Sequence, residues 1–306
     1  MGFKDFIRDY YYGFNLIKGV NEVFELDDYQ HEFFDLIENN QFAIIRKSRQ
    51  MHATHMLAAY YAWQLLTNKD DCKVFLYFSN KFALSTRFVK RVKTILRHYC
   101  EVNKLDLNDM TRTNNSRDLH LYNGNRLFVC ASEVRSLDRL HNVHHIRFDT
   151  IRAVVFDEGA FIYQMDSLVE YLERYMDKES QIIIASTPNG MEYFHYIYEG
   201  SINSTNPYVS LYLPCTVSSK YNDEWYKNMC CAFNNDSRKI RQELHAEFLQ
   251  SPIKYTKPAK DKVVQVRIHN SVYDMLGERL LALDMSQSDY LRDLIAKDLT
   301  QSSSVK

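Results

Sequence analysis

The sequence lacks the features that mark membrane, secreted and zinc-binding proteins. None of its 306 residues lie in an apolar run of about eighteen, the length that a membrane-spanning helix needs. The N-terminus carries acidic residues where a secretion signal needs an apolar stretch. The 6 cysteines have no CxxC spacing, which argues against a disulfide framework and a zinc site. These absences predict a soluble protein of a reducing cytoplasm.

The chain also has almost no net charge, since 38 Lys and Arg residues stand against 39 Asp and Glu residues. Any nucleic acid would therefore have to be bound by local basic patches. A hydrophobic fraction of 45% excludes a disordered chain. The length suits one large domain with a small appendage.

Short apolar runs alternate with helical patterns along most of the chain. The runs are apolar on both faces, which predicts a mainly parallel sheet covered by helices on both sides, an α/β fold. Asn123-Gly124 between two strand patterns predicts a β-hairpin. Predicted strands cover 42–45, 73–78, 153–156 and 182–185, and predicted helices cover 28–39, 54–66 and 81–99.

Composition divides the chain into three parts. Residues 1–250 form the predicted α/β domain, and aromatic residues at helical spacing predict a helical extension over 1–25. Two of the 5 prolines lie in 251–262 without apolar periodicity, which is typical of a linker. A separate pattern occupies 263–306.

Two adjacent acids, Asp157 and Glu158, end the apolar run 153–156. At the end of a strand in a phosphate-handling sheet, the first carboxylate suits Mg²⁺ and the second suits orientation of an attacking water. A buried strand that runs into an acidic loop is also common in proteins without such a site.

The polar segment 46–54 lies where a phosphate loop would be, between a strand and a helix whose N-terminus favours anions. It contains no glycine, and His52-Ala53 stand where the standard motif has Gly-Lys. Thr54 supplies a hydroxyl at the helix start, and Lys47 and Arg49 supply cations. The alternative is a solvated basic turn. Likewise, Ser186 and Thr187 in the turn 186–190 are either phosphate sensors or ordinary turn residues.

Taken in order, these segments resemble the ATPase domain of viral large terminase subunits, the motors of phage DNA packaging. The resemblance covers about residues 20–250. It is carried by Tyr29-Gln30, Lys47–Gln50 with Thr54, Val154–Ala160, Ser186–Gly190, and Arg241-Gln-Glu243 with Phe248. It implies a P-loop NTPase-type fold with ATP and Mg²⁺ as cofactors.

The resemblance also implies roles for individual residues. Glu158 matches the catalytic carboxylate, and Arg49 matches an arginine that acts in cis on the γ-phosphate. Asp157 and Thr54 match the Mg²⁺ ligands. The positions implied to bind nucleotide are Tyr29 and Gln30 at adenine, Lys47 at the β- and γ-phosphates, and Ser48, Gln50 and Thr54. Those implied to couple hydrolysis to motion are Ser186, Thr187 and Asn189.

The sequence departs from the terminase pattern in three places. His52 replaces a glycine that lets backbone amides approach phosphate. Arg139-Leu140 stands where the family often shows Arg-Gly. The RNase H-like acids of the nuclease domain do not follow the linker, so we expect a separate chain to supply that activity.

Residues 263–269 alternate apolar and polar side chains and precede two helical patterns, in 271–283 and from Ser286 onward. This order resembles the ribbon-helix-helix modules, which dimerise through paired strands that enter the DNA major groove. The resemblance implies that Gln265 and Arg267 read base edges and that Ser286 and Ser288 contact phosphate. The alternative is a helical tail that packs on the main domain.

Six cations occur in the helical pattern from Lys81 to Arg97, among them Arg87, Arg91 and Lys93. They form either a DNA-facing stripe or a solvated helix face.

The leading hypothesis is therefore a phage-encoded ATPase of the host cytoplasm that couples ATP hydrolysis to packaging of double-stranded DNA and does not contact membranes. Its expected partners are a portal or procapsid, a small terminase and a separate nuclease, in a ring oligomer or a homodimer through the C-terminal module. The alternative is a terminase-derived regulator that has lost hydrolysis at its deviant phosphate loop and binds DNA through that module.

Overall fold

The computed structural model describes residues 1–10, 12–15, 20–23, 26–68, 73–131 and 151–250. The chain divides into two units, Met1–Lys254 and Tyr255–Lys306, and the described residues all belong to the first. The predicted linker and C-terminal module lie outside the described residues, as does Arg139-Leu140. In the described part of the chain, no helix is both long and apolar enough to cross a membrane.

The N-terminal extension is helical only at its start. Helix α1 (Phe3–Tyr10) is followed by two antiparallel strands, β1 (Tyr12–Asn15) and β2 (Val20–Val23). The prediction of a helical extension over 1–25 is therefore wrong at Tyr12–Asn15 and Val20–Val23. Gly13 is a poor helix former, and the aromatic residues beside it favour strands.

The other elements alternate along the chain much as predicted. The strands are β3 (Phe42–Lys47), β4 (Val74–Ser79), β5 (Thr111–Asn114), β6 (Asp118–Leu121), β7 (Arg126–Ala131), β8 (Ile151–Asp157), β9 (Gln181–Ser186) and β10 (Val209–Leu213). The helices are α2 (Asp28–Asn39), α3 (Ala53–Thr67), α4 (Phe82–Val102), α5 (Met165–Glu173), α6 (Tyr193–Ile202), α7 (Asp223–Ala232) and α8 (Ser237–Glu243).

Eight of these strands form one mixed, mostly parallel sheet in the order β10-β3-β9-β8-β4-β7-β6-β5. The first six strands in this order pair in parallel, whereas β6 pairs antiparallel with β7 and β5. Asn123-Gly124 connects β6 to β7, which confirms the predicted hairpin. The mainly parallel sheet predicted from the apolar runs is confirmed as well.

The two faces of the sheet are buried in two separate hydrophobic clusters. One contains Ala43 and Ile45 of β3 with residues of α1 to α4, and the other contains Ile44 with residues of α5 and α6. Successive side chains of a strand point to opposite faces, so a fully covered strand is apolar at every position. This burial explains why the central strands lack the polar alternation of a half-exposed sheet.

The last described segment, 243–250, packs against β10, the edge strand, and against β3 beside it. The Arg46 guanidinium lies over three aromatic rings, 4.0 Å from the centroid of Tyr212, 4.5 Å from Tyr198 and 5.2 Å from Phe248. Tyr212 also donates a hydrogen bond to the His245 carbonyl, 2.6 Å away. Cation–π contacts of this kind attach the segment to the strand that leads into the candidate phosphate loop.

Candidate active site

Three neighbouring strands, β3, β9 and β8, end at the same edge of the sheet because they run parallel. Lys47 ends β3, Ser186 ends β9 and Asp157 ends β8. Ligands of open parallel sheets bind outside the carboxyl ends of the strands. The topology therefore brings the three predicted motifs together.

The loop between β3 and α3 is held at its start by backbone hydrogen bonds. The Ser48 amide donates to the Leu213 carbonyl at 2.8 Å, and the Arg49 amide donates to the Glu243 carbonyl at 2.9 Å. Gln50 and His52 then adopt left-handed backbone conformations, with φ of 65° and 54°. Both are positions where a side chain is unfavourable and glycine is usual. The loop thus turns sharply without containing a glycine.

Lys47 and Glu158 form a close ion pair across the site. The Lys47 Nζ atom lies 2.6 Å from Glu158 Oε1, and the Lys47 side chain is 6% exposed. The Thr187 amide donates to the other carboxylate oxygen at 3.2 Å. Burial alone would raise the pKa of Glu158, but Lys47, the Thr187 amide and Arg49 together hold that pKa below its ordinary value. Glu158 is thereby kept as a carboxylate.

The neighbouring Asp157 has a different environment. Its Oδ2 atom accepts hydrogen bonds from the Thr54 hydroxyl at 2.6 Å and the Tyr77 hydroxyl at 2.7 Å. Its Oδ1 atom is buried and has no hydrogen-bond partner among the described residues. Burial, with the nearby charge of Glu158, raises the pKa of Asp157.

These oxygens fit a divalent cation. A buried carboxylate oxygen without a partner costs free energy unless something else satisfies it. Mg²⁺ prefers carboxylate and hydroxyl oxygens, and the spare Asp157 oxygen lies on the same carboxylate that meets the Thr54 hydroxyl. The donor set therefore suits Mg²⁺.

A cavity of about 420 Å³ opens in front of these residues. Four of the predicted site residues line it: Lys47, Gln50, Thr54 and Glu158. The other lining residues are Met51, His52, Ala53, His55, Arg91 and Tyr221. The N-terminus of α3 belongs to this wall, so backbone amides add positive potential to the cavity.

The segment 186–190 is hydrogen-bonded to the turn that follows Glu158. The Ala160 amide donates to the Ser186 hydroxyl at 3.1 Å, and the Asn189 side-chain amide donates to the Ala160 carbonyl at 3.2 Å. Together with the Thr187 amide on Glu158, these bonds connect all three predicted coupling residues to the acidic turn.

Arg49 forms an ion pair with Glu243, a side chain that is fully buried. Burial raises the pKa of Glu243, and the charge of Arg49 opposes that effect. The positive charge of Arg49 also helps to lower the pKa of Glu158. The arginine therefore lies between the end of α8 and the acidic turn.

The structure places three other predicted nucleotide-binding residues behind the cavity wall rather than on it. Gln30 is fully buried, and its Oε1 atom accepts the Asp27 amide at 2.9 Å, which completes a capping box on α2. The Tyr29 hydroxyl donates to the Met51 carbonyl at 3.5 Å. Ser48 is buried, and its hydroxyl donates to the Arg49 carbonyl at 3.2 Å. Here these side chains support the loop from within the protein.

Four residues of the site were not singled out with roles from the sequence. Tyr77 contacts Asp157, Glu243 contacts Arg49, and both Arg91 and Tyr221 line the cavity. Glu243 belongs to a segment that carries the terminase resemblance, and Arg91 was noted only as one cation of the basic pattern 81–97. Gln265, Arg267, Ser286 and Ser288 lie outside the described residues.

The order and direction of the strands give the described part of the chain an ATPase-type α/β fold. Among solved structures, a mutant ATPase domain of the Thermus phage P74-26 large terminase matches with a TM-score of 0.57 and 17% identity over 74% of this chain and 95% of that one. The HK97 bacteriophage large terminase matches with a TM-score of 0.61 and 10% identity over 81% of this chain and 56% of that one.

A third structure, the large terminase of a thermophilic bacteriophage in complex with ADP, matches with a TM-score of 0.50 and 13% identity over 67% of this chain and 50% of that one. This chain thus has the fold of phage large-terminase ATPase domains and spans about half the length of the two longer terminases. No family model matches the sequence.

Proposed function

We propose that this chain is a terminase-type ATPase that binds ATP with Mg²⁺ and couples its hydrolysis to packaging of double-stranded DNA. One observation carries the proposal: a lysine, a hydroxyl and a catalytic-type carboxylate line a single cavity at the carboxyl edge of a parallel sheet, and a second carboxylate accepts a hydrogen bond from that hydroxyl. Each of these groups has a use in phosphoryl transfer.

The loop and α3 hold the nucleotide in this proposal. Lys47 contacts the β- and γ-phosphates, and the amides at the N-terminus of α3 add hydrogen bonds to them. Thr54 and Asp157 would hold Mg²⁺, since the Asp157 carboxylate has a buried oxygen without a hydrogen-bond partner among the described residues. The bound cation offsets negative charge on the phosphates. An ADP complex of a similarly folded terminase supports nucleotide as the ligand.

Glu158 orients the attacking water and accepts its proton. Two features support this role: the carboxylate stays ionised beside Lys47, and the Thr187 amide fixes one of its oxygens. Arg49 acts on the γ-phosphate from the other end of the loop, where its charge already reaches Glu158.

In this proposal, the movement that follows ATP hydrolysis begins at the Glu158 carboxylate. Thr187, Ser186 and Asn189 hydrogen-bond to Glu158 and Ala160, so a shift of the acidic turn on hydrolysis moves the end of β9 and the start of α6. As partners we propose a portal or procapsid, a small terminase and a separate nuclease, which is what the resemblance of the sequence to large terminases implies.

The test is ATP hydrolysis by the full chain with Mg²⁺, with and without double-stranded DNA. Glu158→Gln is expected to retain ATP binding and to lose most hydrolysis, about 100-fold or more, because an amide accepts no proton from water. Glu170→Gln, an exposed position on α5, is the matched control. Unchanged turnover of the Glu158 variant contradicts the proposed catalytic role.

A second candidate is a DNA-binding regulator with an ATPase fold that no longer hydrolyses ATP. The His52 side chain on the phosphate loop favours it, since a Cβ at a left-handed position narrows the approach of phosphate to the backbone. DNA binding by the parent chain without any Mg²⁺-dependent ATP hydrolysis supports this candidate and rejects the motor.

A further inference from the structure

Arg91 lies in the wall of the candidate nucleotide cavity, together with Lys47, Thr54 and Glu158. It belongs to α4, a helix whose cations were expected to face either DNA or solvent. Another of those cations, Lys93, also departs from that expectation: it is 8% exposed and donates to the Asn115 carbonyl at 2.6 Å. The basic residues of α4 therefore do not form one uniform surface stripe.

The contact that Arg91 makes is unusual for a guanidinium. Its Nε atom donates to His55 Nε2 at 3.1 Å. An imidazole nitrogen that accepts a hydrogen bond carries no proton, so His55 offers Arg91 an acceptor but no negative charge. Within the described part of the chain, no ion pair joins Arg91 to a carboxylate.

The nearby acids are engaged elsewhere. Glu158 is bonded to Lys47 and to the Thr187 amide. Asp27, whose charge reaches His52, accepts hydrogen bonds from Ser218 and Ser219. Asp157 accepts hydrogen bonds from Thr54 and Tyr77. These three acids therefore already have partners other than Arg91.

The position of Arg91 beside the N-terminus of α3 gives a second reason to expect a bound anion there. His55 lies in the first turn of α3, where the aligned peptide dipoles produce positive potential. A cation at that place is unfavourable unless an anion lies between it and the helix. Arginine is well suited to such an anion, because its planar fork of N–H donors matches phosphate oxygens.

We propose that Arg91 is a phosphate-binding residue of the nucleotide site, which contacts the triphosphate from the α4 side of the cavity, opposite Lys47. This inference rests on the proposed function for the identity of the ligand. In it, His55 holds the guanidinium in place through its Nε2 acceptor, and the remaining Arg91 donors contact phosphate oxygens.

The experiment measures Mg²⁺-ATP affinity of the full chain by calorimetry for the parent and three variants. Arg91→Gln keeps most of the side-chain length and removes the charge, and we expect it to weaken affinity at least tenfold. Arg91→Lys keeps the charge and should lose less. Arg87→Gln, one turn earlier on α4 and exposed, is the matched control and should remain within twofold of the parent.

The outcomes separate this inference from the proposed function. If the parent binds Mg²⁺-ATP and Arg91→Gln binds it as tightly as Arg87→Gln does, the role of Arg91 is rejected and the ATPase proposal stands. If the parent binds neither Mg²⁺-ATP nor Mg²⁺-tripolyphosphate, both are rejected. Far-ultraviolet circular dichroism of each variant checks that it is folded. If Arg91→Gln is unfolded, the Mg²⁺-ATP affinity of Arg91→Lys relative to the parent decides the role of Arg91.

Discussion

Three residues that surround the candidate cavity, Gln50, His52 and Glu158, have left-handed backbone conformations although none is glycine. Such conformations cost about 1 kcal/mol or more for ordinary residues and persist where the surrounding structure enforces them. At Gln50 and His52 the enforcing contacts are the hydrogen bonds of the loop start and the helix that follows. Strain of this kind concentrates at sites where the backbone must approach a ligand.

His52→Gly is expected to raise the free energy of unfolding by about 0.5–1 kcal/mol, because glycine adopts a φ of 54° without a steric penalty. Urea denaturation followed by tryptophan fluorescence measures it. His55→Gly, three residues later in the helical backbone of α3, is the control and should destabilise by about 1 kcal/mol. A loss of stability in His52→Gly would show that the His52 side chain, rather than its backbone, stabilises the loop.

Among single residues, the sequence identified those whose predicted role follows from a position at the end of a strand or the start of a helix. Lys47, Thr54, Asp157 and Glu158 each stand at the end of a strand or the start of a helix, and the structure brings them together. Arg91, Tyr77 and Tyr221 reach the site through packing between distant segments, so no local pattern assigns them to it; the basic pattern that includes Arg91 suggested only DNA or solvent. Gln30 shows a different limitation. The motif implied a contact with adenine, whereas in the structure its side chain completes the capping box of α2, a geometry that the motif does not specify.

Among the elements, α6 begins with an unusual cap. The Glu192 side chain accepts the Phe194 amide at 3.0 Å, while its other oxygen is buried without a hydrogen-bond partner among the described residues. Burial raises the pKa of Glu192 to about 7, and the Phe194 amide opposes the shift. The cap therefore carries a carboxyl group that changes charge near neutral pH, two residues after Gly190.

This cap predicts a pH-dependent stability. A carboxyl with a raised native pKa binds its proton more tightly when folded, so stability falls as the pH rises from the ordinary value of about 4.5 through about 7. Linkage sets an upper limit of about 3 kcal/mol, and we expect about 1–2 kcal/mol because the side chain is partly exposed.

Glu192→Gln should remove the part of the stability loss between pH 5 and pH 8 that the Glu192 carboxyl causes. The free energy of unfolding in urea, determined at both pH values, measures it. Glu224→Gln, an exposed position in the first turn of α7, is the control and should keep the slope of the parent. If Glu192→Gln has the same slope as the parent, the Glu192 carboxyl does not titrate in this range.

The elements differ in how well the sequence predicted them. Helix α2 matches its predicted bounds, and the central strands agree within a few residues, because long apolar patterns leave little choice. Strand β5 was not predicted: its sequence, Thr-Arg-Thr-Asn, is polar, and it lies at the edge of the sheet. Its pairing depends on β6, so tertiary context decides its conformation.

For the whole molecule, the two hydrophobic clusters and the Arg46 contacts all lie within residues 1–250. We expect a fragment of residues 1–250 to fold and to bind Mg²⁺-ATP as the full chain does. DNA affinity should fall, if the predicted module from 263 onward supplies base contacts through Gln265 and Arg267. Thermal unfolding with and without nucleotide, and fluorescence anisotropy with labelled DNA at two salt concentrations, measure these effects.

A shorter fragment, 1–242, is the control for this truncation. It lacks Glu243 and Phe248, so Arg49 loses a buried ion-pair partner and Arg46 loses one of its three rings. We expect it to unfold at a lower temperature than 1–250. Equal DNA affinity of 1–250 and the full chain would mean that the α/β domain, and not the C-terminal module, is the DNA-binding part.

The order of the strands in the sheet also sets the distance between the backbones of Lys47 and Glu158. Because β9 lies between β3 and β8, and neighbouring strands are about 4.8 Å apart, the backbones that carry Lys47 and Glu158 are separated by about 10 Å. The two side chains span that width by extending toward each other until they touch. A phosphate bound by Lys47 has to share or replace this contact. In the proposed reaction the same lysine therefore balances the charge of the general base and recognises the substrate, so we expect ATP to draw Lys47 toward its phosphates and leave the ionised carboxylate available to the attacking water.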